Sequence, residues 1–96
     1  MNNIMNKNYT IKDHILNGKY IRVRCYEEYD CADNNAIVLS NIIYKLEIKI
    51  KFLFIEKFIT IKQWNPDIED EEDIEFAKRE SIECFNNLIN PYNVYG

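Results

Sequence analysis

The sequence predicts an α+β fold: an antiparallel β-sheet of about four strands with one C-terminal α-helix packed on one face. Three observations lead there. Asn17-Gly18 separates two apolar-alternating runs, and both residues tolerate the positive φ that a tight hairpin needs. Over residues 44–55 apolar and polar side chains alternate at the period of a strand. Over residues 70–89 the apolar residues recur at helical spacing.

The first hairpin joins residues 9–16 to residues 19–26. In its second strand Ile21, Val23 and Cys25 face one way, and Tyr20, Arg22, Arg24 and Tyr26 the other. Residues 27–35 are polar and read as a loop. Residues 36–39 fit a short strand or a helical turn, and periodicity does not choose between them. In the next strand Leu46, Ile48, Ile50, Phe52 and Phe54 share one face and Glu47, Lys49 and Lys51 the other. Glu56-Lys57 reads as the tight turn before a strand over residues 58–64, rich in β-formers. Asn65-Pro66 ends that strand, because proline has no ladder donor. Asp70 suits the helix N-cap. Ile74, Ala77, Ser81, Ile82, Cys84, Phe85, Leu88 and Ile89 fall on one apolar face, with Ile74, Phe85 and Leu88 expected against the sheet. Asn90-Pro91 closes the helix, since the residue before proline avoids the α region.

With 96 residues there is room for one core, so residues 1–96 form a single domain. Two Gly exclude a glycine-rich phosphate loop, and a single His excludes any multi-His metal site. Sixteen Ile and 13 Asn point to AT-rich codons, as in a low-GC bacterium or its phages. The longest unbroken stretch of strong hydrophobes, residues 52–55, is far short of the ~20 residues of a membrane span, and residues 1–8 lack the apolar stretch of a signal peptide. The expectation is therefore a cytoplasmic protein in a bacterial host, with reduced cysteines and no membrane partner. Cys25, Cys31 and Cys84 are an odd count with no Cys-x-x-Cys pair, which fits neither a disulfide framework nor a zinc knuckle.

Charge is unevenly placed. The net charge of −4 divides into +3 over residues 1–66 and −7 over residues 67–96. Seven acids stand within nine residues: Asp67, Glu69, Asp70, Glu71, Glu72, Asp73 and Glu75. A helix dipole uses two or three acids in its first turn, at ~0.3–1 kcal/mol each; the rest repel one another. An EF-hand needs a turn glycine and alternating oxygen ligands, and neither is present. Two readings remain, a solvated helix start and a surface for a cationic partner. A dense carboxylate line resembles duplex DNA, which carries one charge per about 1.7 Å of axis. Phe76 lies on the outer side of the helix with Glu72, Glu80 and Glu83 at helical spacing. It is either an ordinary exposed aromatic or an anchor amid carboxylates.

Other constellations carry less. Tyr20, Arg22, Arg24 and Tyr26 set cations and rings on one strand face, a mix found in single-stranded nucleic-acid binders. Pairing of those cations with the chain's own acids is the competing reading. His14 has no nucleophile or orienting acid beside it, since Asp13 points to the opposite strand face. Cys25 and Cys84 fall on apolar faces and read as packing. Trp64 reads as a packing anchor at the sheet-to-helix junction. No nucleophile–base pair is visible, so the chain reads as a non-enzyme without cofactor or metal.

Three stretches resemble one family: Asn6-Lys7-Asn8-Tyr9-Thr10-Ile11-Lys12, Ile55-Glu56-Lys57-Phe58-Ile59 and Trp64-Asn65-Pro66-Asp67-Ile68-Glu69-Asp70-Glu71-Glu72-Asp73. They are similar to small acidic anti-CRISPR proteins of phages and prophages, the Cas9 inhibitors that mimic duplex DNA at the PAM-reading site. The resemblance implies that Asp70 and Glu71, with Asp67, Glu69 and Glu72 around them, meet a cationic pocket of a CRISPR effector. The chain departs from the family in three ways. Asn8 stands where the family has an acid, the spacing from the first stretch to Trp64 is longer, and the segment around Phe58 reads as strand where the family is helical. Three functions follow as expectations. The first is an inhibitor that binds a nucleic-acid-binding host effector such as Cas9 through Asp67, Glu69, Asp70, Glu71, Glu72, Asp73, Glu75 and Phe76, without touching nucleic acid itself. The second is a small single-stranded nucleic-acid-binding domain using the Tyr20–Tyr26 face. The third is a homodimer or assembly module whose basic sheet face meets another copy's acidic helix.

Overall fold

A computed structural model describes residues 3–90, with side-chain placement from residue 5. Four strands, β1 (Asn3–Leu16), β2 (Lys19–Cys31), β3 (Ile37–Phe52) and β4 (Ile55–Trp64), precede one helix, α1 (Glu71–Ile89). The strands form an antiparallel meander in the order β1-β2-β3-β4. Asn17 and Gly18 both take positive φ, 52° and 79°, as the hairpin dipeptide requires.

The two faces separate as the alternation predicts. Ile21, Val23 and Cys25 of β2 and Ile42, Tyr44 and Leu46 of β3 are buried under α1, which contributes Ala77, Ser81 and Phe85. Ile11 and Trp64 pack against both halves of this core, which makes Trp64 the anchor expected at the junction. The helix runs from its first turns above Ile42 and Tyr44 towards Ile21 and Ile48, where Ile89 docks.

Several expectations are corrected. Residues 27–31 are not a loop: Glu27, Glu28, Tyr29 and Asp30 continue β2, laddered to both β1 and β3, and Cys31 ends it paired with Ile37 of β3. Their side chains are polar, but a strand between two others is held by backbone bonds that the side-chain pattern does not report. Residues 37–39 open β3. The second hairpin turns at Leu53-Phe54, with Phe52 opposite Ile55, so Glu56 and Lys57 lie inside β4 rather than at a turn. The segment around Phe58 is strand, as read. Phe52 and Phe54 do not join the core, because the helix stops short of them. Its 19 residues make about 28 Å at ~1.5 Å per residue. The 16 residues of β3 make about 50 Å at ~3.3 Å per residue. Leu88 likewise remains 39% exposed near the end of α1. The result is a slab of 50 × 39 × 14 Å, open at one end.

Candidate functional site

The acidic segment divides into two groups by what its carboxylates do. Asp67, Asp70 and Asp73 build the start of α1. Asp70 is the N-cap, its Oδ1 accepting the Glu72 and Asp73 amides at 3.0 and 3.3 Å. Asp67 Oδ1 accepts the Glu69 amide at 3.0 Å, and Asp73 Oδ2 accepts the Asp67 amide at 2.7 Å. Asp70 thereby satisfies donors that a helix start leaves unpaired, while Asp67 and Asp73 hold amides of the turn just before it. Pro66 is buried just before them, which pins the segment to the end of β4.

Glu69, Glu71, Glu72 and Glu75 form the second group. All four are exposed, and among the described residues none is in an ion pair. With Asp70, Phe76 and Arg79 three of them, Glu71, Glu72 and Glu75, line an open depression of about 640 Å³ on the outer side of the helix start. Phe76 is half exposed there, as its helical position requires. The structure therefore brings most of the sequence-selected residues to one surface. Reversing the charge at Asp70 would cost stability, because that carboxylate caps the helix, as its position in the sequence predicts.

The opposite sheet face holds an arrangement that the strand alternation only half disclosed. Arg22 Nε donates to Glu47 Oε1 at 2.8 Å, and Tyr26 donates its hydroxyl to Glu47 Oε2 at 2.7 Å. The Arg22 guanidinium lies 3.4 Å from the centroid of the Phe58 ring, and Tyr20 meets the same ring edge-on at 5.9 Å. Tyr20 donates to Asp13 at 2.8 Å, which raises the pKa of its phenol. Burial, then the bond to Glu47, raises Tyr26. Arg24 donates to Thr10 at 2.9 Å and to Asn8, and Lys45 sits 5.0 Å from the Tyr26 ring. Glu47 and Phe58 were missed as organisers of this face. Alternation placed Glu47 on it, but only the register, Arg22 opposite Glu47 and Lys49 opposite Phe58, shows that they meet.

Cys25 is fully buried, and burial raises the pKa of its thiol. Cys25, Cys31 and Cys84 are free. Among the described residues no three His, Cys, Asp or Glu side chains gather closely enough to hold a metal ion, and no helix is long and apolar enough to cross a membrane. No family model, curated protein or solved structure matches the chain.

Proposed function

We propose that this protein acts by occupancy, as a phage-type inhibitor whose acidic helix start docks on the cationic nucleic-acid-binding surface of a host effector such as Cas9. One observation supports the reading above the others. Glu71, Glu72 and Glu75 are exposed and in no ion pair among the described residues around the half-exposed Phe76, with the exposed Glu69 just before them, while the aspartates among them hold the helix cap and the turn that leads into it. A stable helix start needs the aspartates and not the glutamates. Four like charges held together cost free energy that a cationic partner would return. The reading as a single-stranded nucleic-acid binder loses support, because Arg22 is bonded to Glu47 and covered by Phe58, and Arg24 is bonded to Thr10 and Asn8.

Displacement of PAM-containing duplex DNA from a purified Cas9–guide complex tests the proposal. Glu71→Lys with Glu72→Lys should abolish displacement and lower the melting temperature by no more than a few degrees, since neither side chain bonds within the fold and only their interaction with the helix dipole is lost. Asp70→Asn keeps an oxygen for the cap and should weaken displacement without unfolding the helix. Wild-type protein that displaces no DNA overturns the assignment to Cas9. A folded double variant that displaces as well as wild type leaves the glutamates as a solvated helix start.

A further inference from the structure

The turn between β3 and β4 is at odds with the rest of the surface. Phe52, Leu53, Phe54 and Ile55 are consecutive and exposed, Phe54 completely so. Leu53 takes φ +57°, a conformation that favours Gly, Asn or Asp; the other positive-φ residues described are Asn17, Gly18 and Asn35. The equivalent turn between β1 and β2 uses Asn17-Gly18, so this fold makes a hairpin of the same length with polar chemistry. Bulk at Leu53 and Phe54 adds no packing within the chain. A basic collar surrounds them. Lys51 and Lys57 flank the turn, exposed and in no ion pair among the described residues, while Glu56, the one acid nearby, is bonded to Lys49 at 2.9 Å.

We propose that this tip inserts into an anionic lipid surface, Phe52, Leu53, Phe54 and Ile55 entering the boundary between headgroups and acyl chains and Lys51 and Lys57 meeting the lipid phosphates. Interfacial binding takes two signals, apolar area and positive charge, and both are here within seven residues. The absence of a spanning segment, which led to the expectation of no membrane partner, does not bear on a tip that only enters the interface. A second copy is a poor occupant. The depressions at the helix start, beside Lys78, beside Asn6 and beside Gly18 are lined largely by charged or polar side chains and offer Phe54 no apolar socket. Tip-to-tip contact would set Lys51 and Lys57 against their own equivalents. The acidic helix start lies beyond the far end of β4, whose ten residues span about 30 Å. An anionic surface would repel that end and attract the tip, so the molecule would stand on its turn with the carboxylates facing away. This surface is separate from the acidic one, and the two proposals stand or fall independently.

Flotation of the whole protein with lipid vesicles tests it, comparing phosphatidylcholine alone with phosphatidylcholine containing about 30% phosphatidylserine. Wild type should float with the anionic vesicles and less so as salt is raised. Phe54→Ser, and separately Leu53→Gly, should lower the partition coefficient by about tenfold or more. Lys51→Glu with Lys57→Glu should remove the preference for phosphatidylserine. All these positions are exposed, so cooperative melts should persist and loss of binding would report the tip. Wild type that stays with the unbound fraction at low salt, or tip variants that partition like wild type, would overturn the proposal. So would a lipid-free dimer that Phe54→Ser dissociates, which would assign the tip to a second copy.

Discussion

At the scale of single residues, two side chains carry more of the structure than their types suggest. Glu47 is a buried carboxylate, its side chain 7% exposed, whose two oxygens each accept one bond, from Arg22 and Tyr26. Removing it strands a guanidinium and a phenol. Breaking a fully buried pair costs ~3–5 kcal/mol, and Arg22 keeps 17% exposure, so water recovers part of that. Glu47→Ala should cost about 2–3 kcal/mol, measured by urea unfolding; a loss below ~0.5 kcal/mol would mean a surface-like pair. Leu53 works in the other direction. Its left-handed φ costs roughly 1–2 kcal/mol in a non-glycine residue, and glycine brings an entropic penalty of roughly 0.5–1 kcal/mol. Strain relief is the larger effect, so Leu53→Gly should raise the melting temperature slightly. A lower melting temperature would show that Leu53 packs on something within the fold.

At the scale of elements, α1 is held by its middle and capped at its start. Phe85 is 2% exposed against Ile21, Val23 and Leu46, whereas Leu88, one turn on, is 39% exposed. Phe85→Ala should therefore cost ~3–5 kcal/mol, enough to unfold a domain this small. Leu88→Ala should cost no more than about 1 kcal/mol. Near-equal losses in chemical denaturation would contradict the placement of the helix. The cap gives a second contrast. Asp70→Ala removes the acceptor for two amides and should cost about 1 kcal/mol, while Asp70→Asn should cost much less. A melt that separates the two tests whether Asp70 acts as a cap or only as a charge.

At the scale of the whole molecule, the slab sorts its charges and its proton-holding groups. Cys25 and Tyr44 are buried side by side, and burial raises both pKa values above their ordinary 9.0 and 10.0. A raised acid keeps its proton in the fold while the unfolded chain releases it. The stability each group contributes is thus fully present below its unfolded pKa and is lost as pH rises towards the folded value. Stability should be flat through neutral pH and fall above about pH 9, by ~1.4 kcal/mol per pH unit for each group in that window. Cys25→Ala should move the onset to higher pH, as thermal melts across pH 7–11 would show. An unchanged onset would assign the alkaline loss to the tyrosines alone.

Local pattern was enough for the four strands, the C-terminal helix, the Asn17-Gly18 hairpin, the Asp70 cap and the gathering of carboxylates from Asp67 to Glu75. Each follows from neighbours within a few positions: a period of two or 3.6, a dipeptide suited to positive φ, a short side chain that reaches its own backbone. What tertiary structure decided depends on partners far along the chain. Residues 27–30 are strand because β1 and β3 lie on either side of them, and their polar side chains could not show it. The turn falls at Leu53-Phe54 because Phe52 pairs with Ile55, although neither turn residue is one that turns favour. Glu47 meets Arg22 only through the β2–β3 register. The apolar tip is exposed because a helix rising ~1.5 Å per residue cannot cover strands rising ~3.3 Å per residue. Pairing and coverage are properties of two elements together, and no window on one of them contains the information.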